Sequence, residues 1–351
     1  MMFKKDIKKQ LNGILNEIRR HAVGGRHTMF SIANTKKRDK EGLYFPPLRV
    51  TRLAVCGNVI VYNPQQAKEI ASYVDGKVEY ILVDAEKKII ESEYGDWIGG
   101  NIERLLKDTV KKSKVFTFKA NDLTVDAIDM LLSQFVYKIG GKKVAIIGSG
   151  NIGSKIALRL VERGSWVNIT RRDYKKTLII AKALNLIKPA QTMAVVRAFK
   201  SNLEAAKDAD ILIAATAGEP AVNVAMVKLL NKDALIVDVG KGSIFKKAIA
   251  FAEKHGHTVL RLDIRAGFEG VVANILATEK LLNEVLGRRM VEGVNIVAGG
   301  MMGRRGDVIV DNILQPTRCI GIADGMGDTI RNISEEDKLK TEKIRNQFLT
   351  V

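Results

Sequence analysis

Residues 144–153 read VAIIGSGNIG, and no other segment limits the fold of this chain so tightly. Four apolar residues, Val144 to Ile147, run directly into Gly148, Gly150 and Gly153. An apolar helical pattern follows at Ile156, Leu158, Leu160 and Val161. A buried parallel strand, a glycine turn and a helix start are what a dinucleotide diphosphate requires. Gly148 permits the tight turn, Gly150 lets the backbone approach the phosphates, and Gly153 lets helix and strand pack closely. Ser149, Asn151 and Ile152 complete the turn, and the helix N-terminus offers free N–H groups and a positive dipole end. Gly164 ends the helix, and Trp166–Thr170 reads as the second strand. A glycine turn serving only as a tight connection is the plainer alternative, and the strand–helix–stop–strand order weighs against it.

The end of that second strand selects the nicotinamide cofactor. NAD sites place an acid there to bind the ribose hydroxyls. This chain reads Thr170-Arg171-Arg172, a hydroxyl and two guanidiniums suited to a 2′-phosphate. NADP is the expected cofactor. Asp173, two residues on, keeps NAD open, and Arg171 and Arg172 as solvated helix-start residues are the bland alternative.

The 351 residues suffice for two domains. An apolar content of 46% is ordinary for a soluble globular protein, and no apolar run approaches the ~18–20 residues that span a bilayer. The N-terminus, MMFKKDIKKQLNGILNEIRR, lacks a secretory signal's apolar centre. Its Ile7, Leu11, Ile14, Leu15 and Ile18 share one helical face, which predicts a docking helix over 1–20 rather than a membrane-bound one. Cys56 and Cys319 belong to no C-x-x-C pair, which argues for the cytoplasm and against zinc. His255 and His257 read as turn residues, and no metal site is expected. The formal charge of +18 favours anionic ligands. The basic residues are dispersed and not interleaved with aromatics, so nucleic acid is a disfavoured partner.

Alternating strands and helices predict an α/β fold: an N-terminal α/β domain over 1–136, a Rossmann-type doubly wound parallel sheet over 137–325 and a helical tail over 326–351. Residues 22–49 read as a long loop. Leu53–Cys56 and Val59–Tyr62 read as two short strands around Gly57-Asn58. Pro64 opens a helix, Val78–Val83 is a strand, 97–110 contains a helix, and Lys114–Phe118 is a strand. Residues 123–137 form a linking helix that Thr124 caps. Strands follow at 144–147, 166–170, 211–215, 235–239 and 258–262. The glycine-rich stretch 287–327 is either a mobile closing segment or a tightly turned approach to a ligand. The apolar helix 271–286 makes a homodimer plausible.

At this point the pattern resembles the two-domain superfamily of amino-acid-dehydrogenase-like proteins, which includes shikimate dehydrogenases and methylene-tetrahydrofolate dehydrogenases. The linking helix near TVDAID, then IGGKKVAIIGSGNIG and ADILIAATAGEP…LLNKDALIVDVGKG, carry the likeness over about residues 120–245. The resemblance implies that Thr216, Ala217, Gly218, Val239 and Gly240 line the nicotinamide side. It also aligns Asp126 with an Asn-Thr-Asp of the shikimate enzymes. The family's substrate motifs have no counterpart here.

Hydride transfer needs a group that moves a proton. Asp126, at the start of the linking helix, and Lys119, which follows the preceding strand, are the expected catalytic pair. A helix-start acid and a solvated strand-end lysine are the structural alternative. Arg26 and His27, presented by the glycine loop AVGGRHTMF, are candidate substrate-binding residues. Arg304, Arg305 and Asp307 follow Gly303 and are further anion contacts. Cys56 would suit an aldehyde-forming reductase such as glutamyl-tRNA reductase, but the surrounding motif is missing and a buried structural thiol is favoured. The functional expectation is an NADP-dependent oxidoreductase acting on a small anionic metabolite. A non-redox nucleotide-binding or lyase-type member, and a nucleic-acid-associated protein, are the alternatives.

Overall fold

The computed structural model describes residues 5–35, 43–89 and 102–348. Its first helix, α1 (Lys5–His21), uses the expected apolar stripe. Leu11, Leu15 and Ile18 are buried in one cluster with Phe30, Val55 and Val59, and Ile7 and Ile14 pack on its edge. Each fully buried side chain of this kind stabilises by roughly 1.5–3 kcal/mol.

The segment expected as a long loop contains the central strand of the first sheet, β1 (His27–Asn34). Its buried polar residues Ser31 and Asn34 bond to neighbouring segments of the chain. The Ser31 hydroxyl donates to Asn58 Oδ1 at 2.8 Å, and the Asn34 side-chain amide donates to the Glu86 carbonyl at 2.9 Å. The two short strands expected around Gly57-Asn58 are one continuous strand. The sheet contains β2 (Arg49–Val50), β3 (Ala54–Val61), β4 (Tyr80–Asp84) and β5 (Lys114–Phe118) in the order β2-β3-β1-β4-β5. All pairs are parallel except β2 with β3. Gly57 marks close packing, not a turn. A Cβ there would stand 2.6 Å from Ile14 and 2.9 Å from Ile18 of α1.

Helix α2 (Pro64–Val74) starts at its proline, with the Asn63 side chain accepting from the Gln66 amide. Helix α3 (Ile102–Thr109) lies within the expected 97–110, of which 97–101 fall outside the described residues. Helix α4 (Ala120–Phe135) links the two sheets. Thr124 does not cap it; the residue lies inside the first turns, its hydroxyl donating to the Ala120 carbonyl at 3.3 Å.

The second sheet is all parallel, in the order β11-β10-β9-β6-β7-β8. Its elements run β6 (Lys143–Ile147), α5 (Asn151–Glu162), β7 (Trp166–Thr170), α6 (Tyr174–Ile187), β8 (Val196–Phe199), α7 (Asn202–Ala206), β9 (Ile211–Ala214), α8 (Val224–Val227), β10 (Leu235–Asp238), α9 (Lys246–Lys254) and β11 (Thr258–Arg261). Strand β8 and helix α7 were not expected from sequence. The chain reverses direction across the sheet between β6 and β9, the place where a doubly wound sheet opens a crevice at its carboxyl edge.

Helix α10 (Arg265–Lys280) and a π-turn at Leu281–Val285 follow. The chain divides into two compact units, Met1–Val271 and Val272–Val351. In the second unit the glycine-rich stretch builds regular structure. Strands β12 (Gly287–Val291), β13 (Val294–Ala298), β14 (Val308–Val310) and β15 (Cys319–Ile322) pair in chain order as a separate sheet. Residues 287–322 thus pair among themselves rather than extending the dinucleotide sheet. Arg304 and Asp307 serve that sheet. The buried Asp307 carboxylate accepts from the Arg304 amide at 2.7 Å and from Arg288 at 2.8 Å. Helix α11 (Glu335–Phe348) closes the unit. Among the described residues no helix is long and apolar enough to cross a membrane, and no cluster of metal-ligating side chains occurs.

Candidate dinucleotide cleft

At the end of β6 the chain turns at Gly148, with φ +108°. A side chain is excluded there, because a Cβ would lie 2.7 Å from the Ala215 carbonyl oxygen. At Gly153 it would lie 2.0 Å from the Gly148 oxygen, so helix and turn touch backbone to backbone. Gly150 differs, since nothing lies within 4 Å of its Cβ position. That space opens over the first turn of α5, which no side chain caps. The amides of Gly148 and Ser149 are bound to the Thr170 carbonyl, at 3.1 and 2.8 Å. The first turn, opening at Asn151 and Ile152, has no side-chain cap, and the helix dipole there favours an anion.

A cleft of about 920 Å³ extends from this turn between the ends of β6, β7 and β9. Gly148, Ser149, Gly150, Thr170, Arg171, Arg172, Thr216 and Ala217 all line it. Ile152 and Gly153 sit behind the turn in α5. Gly218 holds a left-handed turn at φ +80°. Val239 and Gly240 follow β10, and a Cβ on Gly240 would fall 1.8 Å from the Thr216 oxygen. That contact locks the two strand-end turns together. The hydroxyls of Ser149 and Thr170 are buried without a hydrogen-bond partner, though both residues line the cleft. Buried orphan hydroxyls carry a desolvation cost that a polar ligand would relieve.

Arg171 and Arg172 are exposed at the cleft's far wall. Lys200, which follows the unexpected strand β8, joins them. Sequence reading missed Lys200 because VRAF is a four-residue edge strand; the Ser201 cap that begins α7 was the available signal. Asp173 caps α6, accepting from the Lys176 amide at 3.1 Å.

A second cavity, of about 590 Å³, lies at the carboxyl ends of β1 and β4 and the starts of α4 and α5. Asp84 is fully buried and accepts from the amides of Glu86 (3.1 Å) and Ala120 (3.3 Å). Lys88 Nζ lies 2.7 Å from Asp84 and 2.8 Å from Glu86. Glu86 also accepts from the Asn121 amide at 3.1 Å. Asn121 and Asn151 bridge α4 and α5 through their side chains at 3.1 Å. The signal for Lys88 was its place just past a strand end, in VDAEKK.

The expected pair of Asp126 and Lys119 is not formed. Asp126 lies a turn farther along α4 and its carboxylate is held by Arg159 at 2.5 Å. Lys119 lines the second cavity, with Asp122 as its near carboxylate at 3.9 Å. Arg26 and His27 stand at the opposite end of the first sheet, since His27 begins β1. Arg26 donates to the carbonyls of Thr51 (2.9 Å) and His21 (3.4 Å), tying α1 to the loop before β3. His27 faces Glu79 at 3.4 Å and meets Tyr80 edge-on. Burial pushes the Glu79 carboxyl up, but hydrogen bonds from Thr28 and His27 outweigh it and hold it below the usual range. Cys56 is fully buried, and burial pushes its thiol up to about 12. It is no nucleophile at neutral pH.

Residues 143–242 match the family model described as NADP oxidoreductase, coenzyme F420-dependent. A curated relative, glutamyl-tRNA reductase from Caldivirga maquilingensis, is 28% identical over 177 residues, 48% of this chain. The chain spans 39% of that relative's length. Among solved structures, a shikimate dehydrogenase in complex with NADP+ superposes with a TM-score of 0.44 at 16% identity, over 72% of this chain and 90% of that one. The 5-ketofructose reductase of Gluconobacter sp. strain CHM43 gives 0.38 at 17% identity, over 72% and 100%. Residues 143–242 therefore carry the Rossmann-type parallel sheet that matches this oxidoreductase family model, and a separate, mostly parallel sheet precedes it in the chain.

Proposed function

We propose that the chain is an NADP-dependent oxidoreductase that moves a hydride to or from a small anionic metabolite. The observation that carries this reading is the far wall of the cleft. Arg171, Arg172 and Lys200 line it, and Asp173, the acid next to them in the chain, has one carboxylate oxygen committed to capping α6. A ribose with free hydroxyls wants an acid in that place, and a 2′-phosphate wants guanidiniums. The family model over residues 143–242 supports the oxidoreductase class.

The residues fit the group. The open first turn of α5, with Ser149 and Thr170 beside it, would hold the diphosphate. Arg171, Arg172 and Lys200 would hold the 2′-phosphate, and Thr216 to Gly218 with Gly240 would shape the nicotinamide side. When bound, NADP supplies or accepts the hydride. Lys88, held between Asp84 and Glu86, would be the cation that holds a proton for the substrate. Fluorescence titration with NADPH tests the reading, and absence of binding at about millimolar cofactor, the upper end of ordinary substrate affinities, rejects it.

A further inference from the structure

At the second cavity four lysines meet three carboxylates, Asp84, Glu86 and Asp122, which leaves one positive charge in excess. Lys87, Lys88, Lys119 and Lys155 line the cavity, and Glu86 is the acid among its lining residues. Lys88 is neutralised by Asp84 and Glu86. Lys155 reaches Asp122 closely and Glu86 at 3.8 Å. Asp122 therefore serves two lysines, since Lys119 Nζ stands 3.9 Å from it. Lys119 is 61% exposed and Lys87 is exposed. Asn121, Asn151 and Thr35 supply uncharged polar groups to the same wall.

We propose that this cavity binds the anionic group of the substrate, a carboxylate or a phosphate, through Lys119 and Lys155. The proposal rests on the oxidoreductase reading and adds to it the place and charge of the substrate. Its volume of about 590 Å³ admits a small metabolite. The Asn121–Asn151 bridge puts the cavity against the first residue of α5, so an anion there lies beside the diphosphate turn. Lys88 is held by a fully buried carboxylate and does not swing toward the ligand. Lys119, loosely paired and 61% exposed, has that freedom, and Lys155 exchanges its pairing with the shared Asp122 for the incoming anion.

The test uses the full chain saturated with NADP+, so that the first cleft is filled. Carbon-13-labelled malonate and inorganic phosphate are titrated separately and followed by NMR line width. One or both bind the wild type, and the one that binds tells carboxylate from phosphate. Lys119→Met with Lys155→Met lowers that affinity about tenfold or more, the loss expected of two charge-assisted contacts. Lys155→Arg keeps affinity within about threefold, because the charge is retained. Lys119→Met alone, at a surface lysine whose loss leaves the fold intact, weakens binding about threefold or more. Failure of both anions to bind, or equal binding by wild type and double variant, overturns the proposal. NADPH titration of the same proteins separates the two readings. Intact NADPH binding with lysine-independent anion binding removes the anion site alone. Lysine-dependent anion binding without NADPH binding removes the dinucleotide reading alone.

Discussion

The side-chain amide of Asn121, at the start of α4, donates to Asn151 Oδ1, at the start of α5, over 3.1 Å. This bond joins the start of α4, past the end of the first sheet, to the first residue of α5 at the turn that opens the dinucleotide cleft. Removing it leaves each helix packed, because α4 and α5 also share the pairs of Asp126 with Arg159 and Asp129 with Arg163. We expect Asn121→Ala to cost about 0.5–1.5 kcal/mol in urea unfolding. Asn151→Ala should cost a similar amount, and the double variant less than the sum, because the two share one bond. Full additivity would contradict the contact.

Gly150 and Gly153 make opposite predictions although they sit three residues apart. Gly150→Ala puts a methyl into open space, so stability should change by less than about 1 kcal/mol. The same methyl stands where the phosphates approach, and NADPH affinity should fall about tenfold or more. Gly153→Ala forces a Cβ to within 2.0 Å of a backbone oxygen and should destabilise by roughly 1–3 kcal/mol or more. Thermal melts and NADPH titration read both effects. A stable Gly153→Ala with normal binding would contradict the packing described for the turn.

Asp75, which follows α2, accepts from the amides of Lys111 (2.8 Å), Lys112 (2.9 Å) and Ser113 (2.8 Å) and so fixes the entry to β5. Burial pushes its carboxyl up, but these bonds outweigh burial and hold it below the usual range. A depressed native value stabilises the fold above the unfolded value of about 3.9, and that contribution is lost as pH falls through the native value. Asp75→Ala should cost about 1–3 kcal/mol at neutral pH. The gap between wild type and variant should narrow below about pH 4. A gap constant from neutral pH to pH 3 would be the wrong result for this account.

The Cys56 thiol should resist iodoacetamide at about pH 8, where an ordinary thiol is partly ionised, and react once the chain is unfolded. Peptide mapping of labelled native and denatured protein measures this. Rapid native labelling at Cys56 would contradict the buried, protonated thiol.

The second half of the first unit was legible because its signals are local. The run into Gly148, the stop at Gly164 and the arginines after Thr170 follow from one strand–turn–helix pattern. Strand β1 was not legible, because Ser31 and Asn34 look like loop residues until their partners in β3 and beyond β4 are known. Gly57 misled for the same reason, since its neighbour in space is α1. The sequence pairs Asp126, from the likeness to the shikimate enzymes, with Lys119 at the preceding strand end, whereas the observed lysine–carboxylate group is a different one. Its members converge from β4, α4 and α5, and only the register of two sheets brings them together.

The proposed function turns on NADP being held by the turn after Ile147 and the wall at Arg171 and Arg172. Its most direct test is a paired titration of NADPH and NADH against the wild type and the variant carrying Arg171→Ala and Arg172→Ala. The wild type should bind NADPH more tightly than NADH. The variant should lose about tenfold or more for NADPH, with NADH changed by less than about threefold. Equal weakening of both cofactors, or no binding of either by the wild type, would contradict the proposed function.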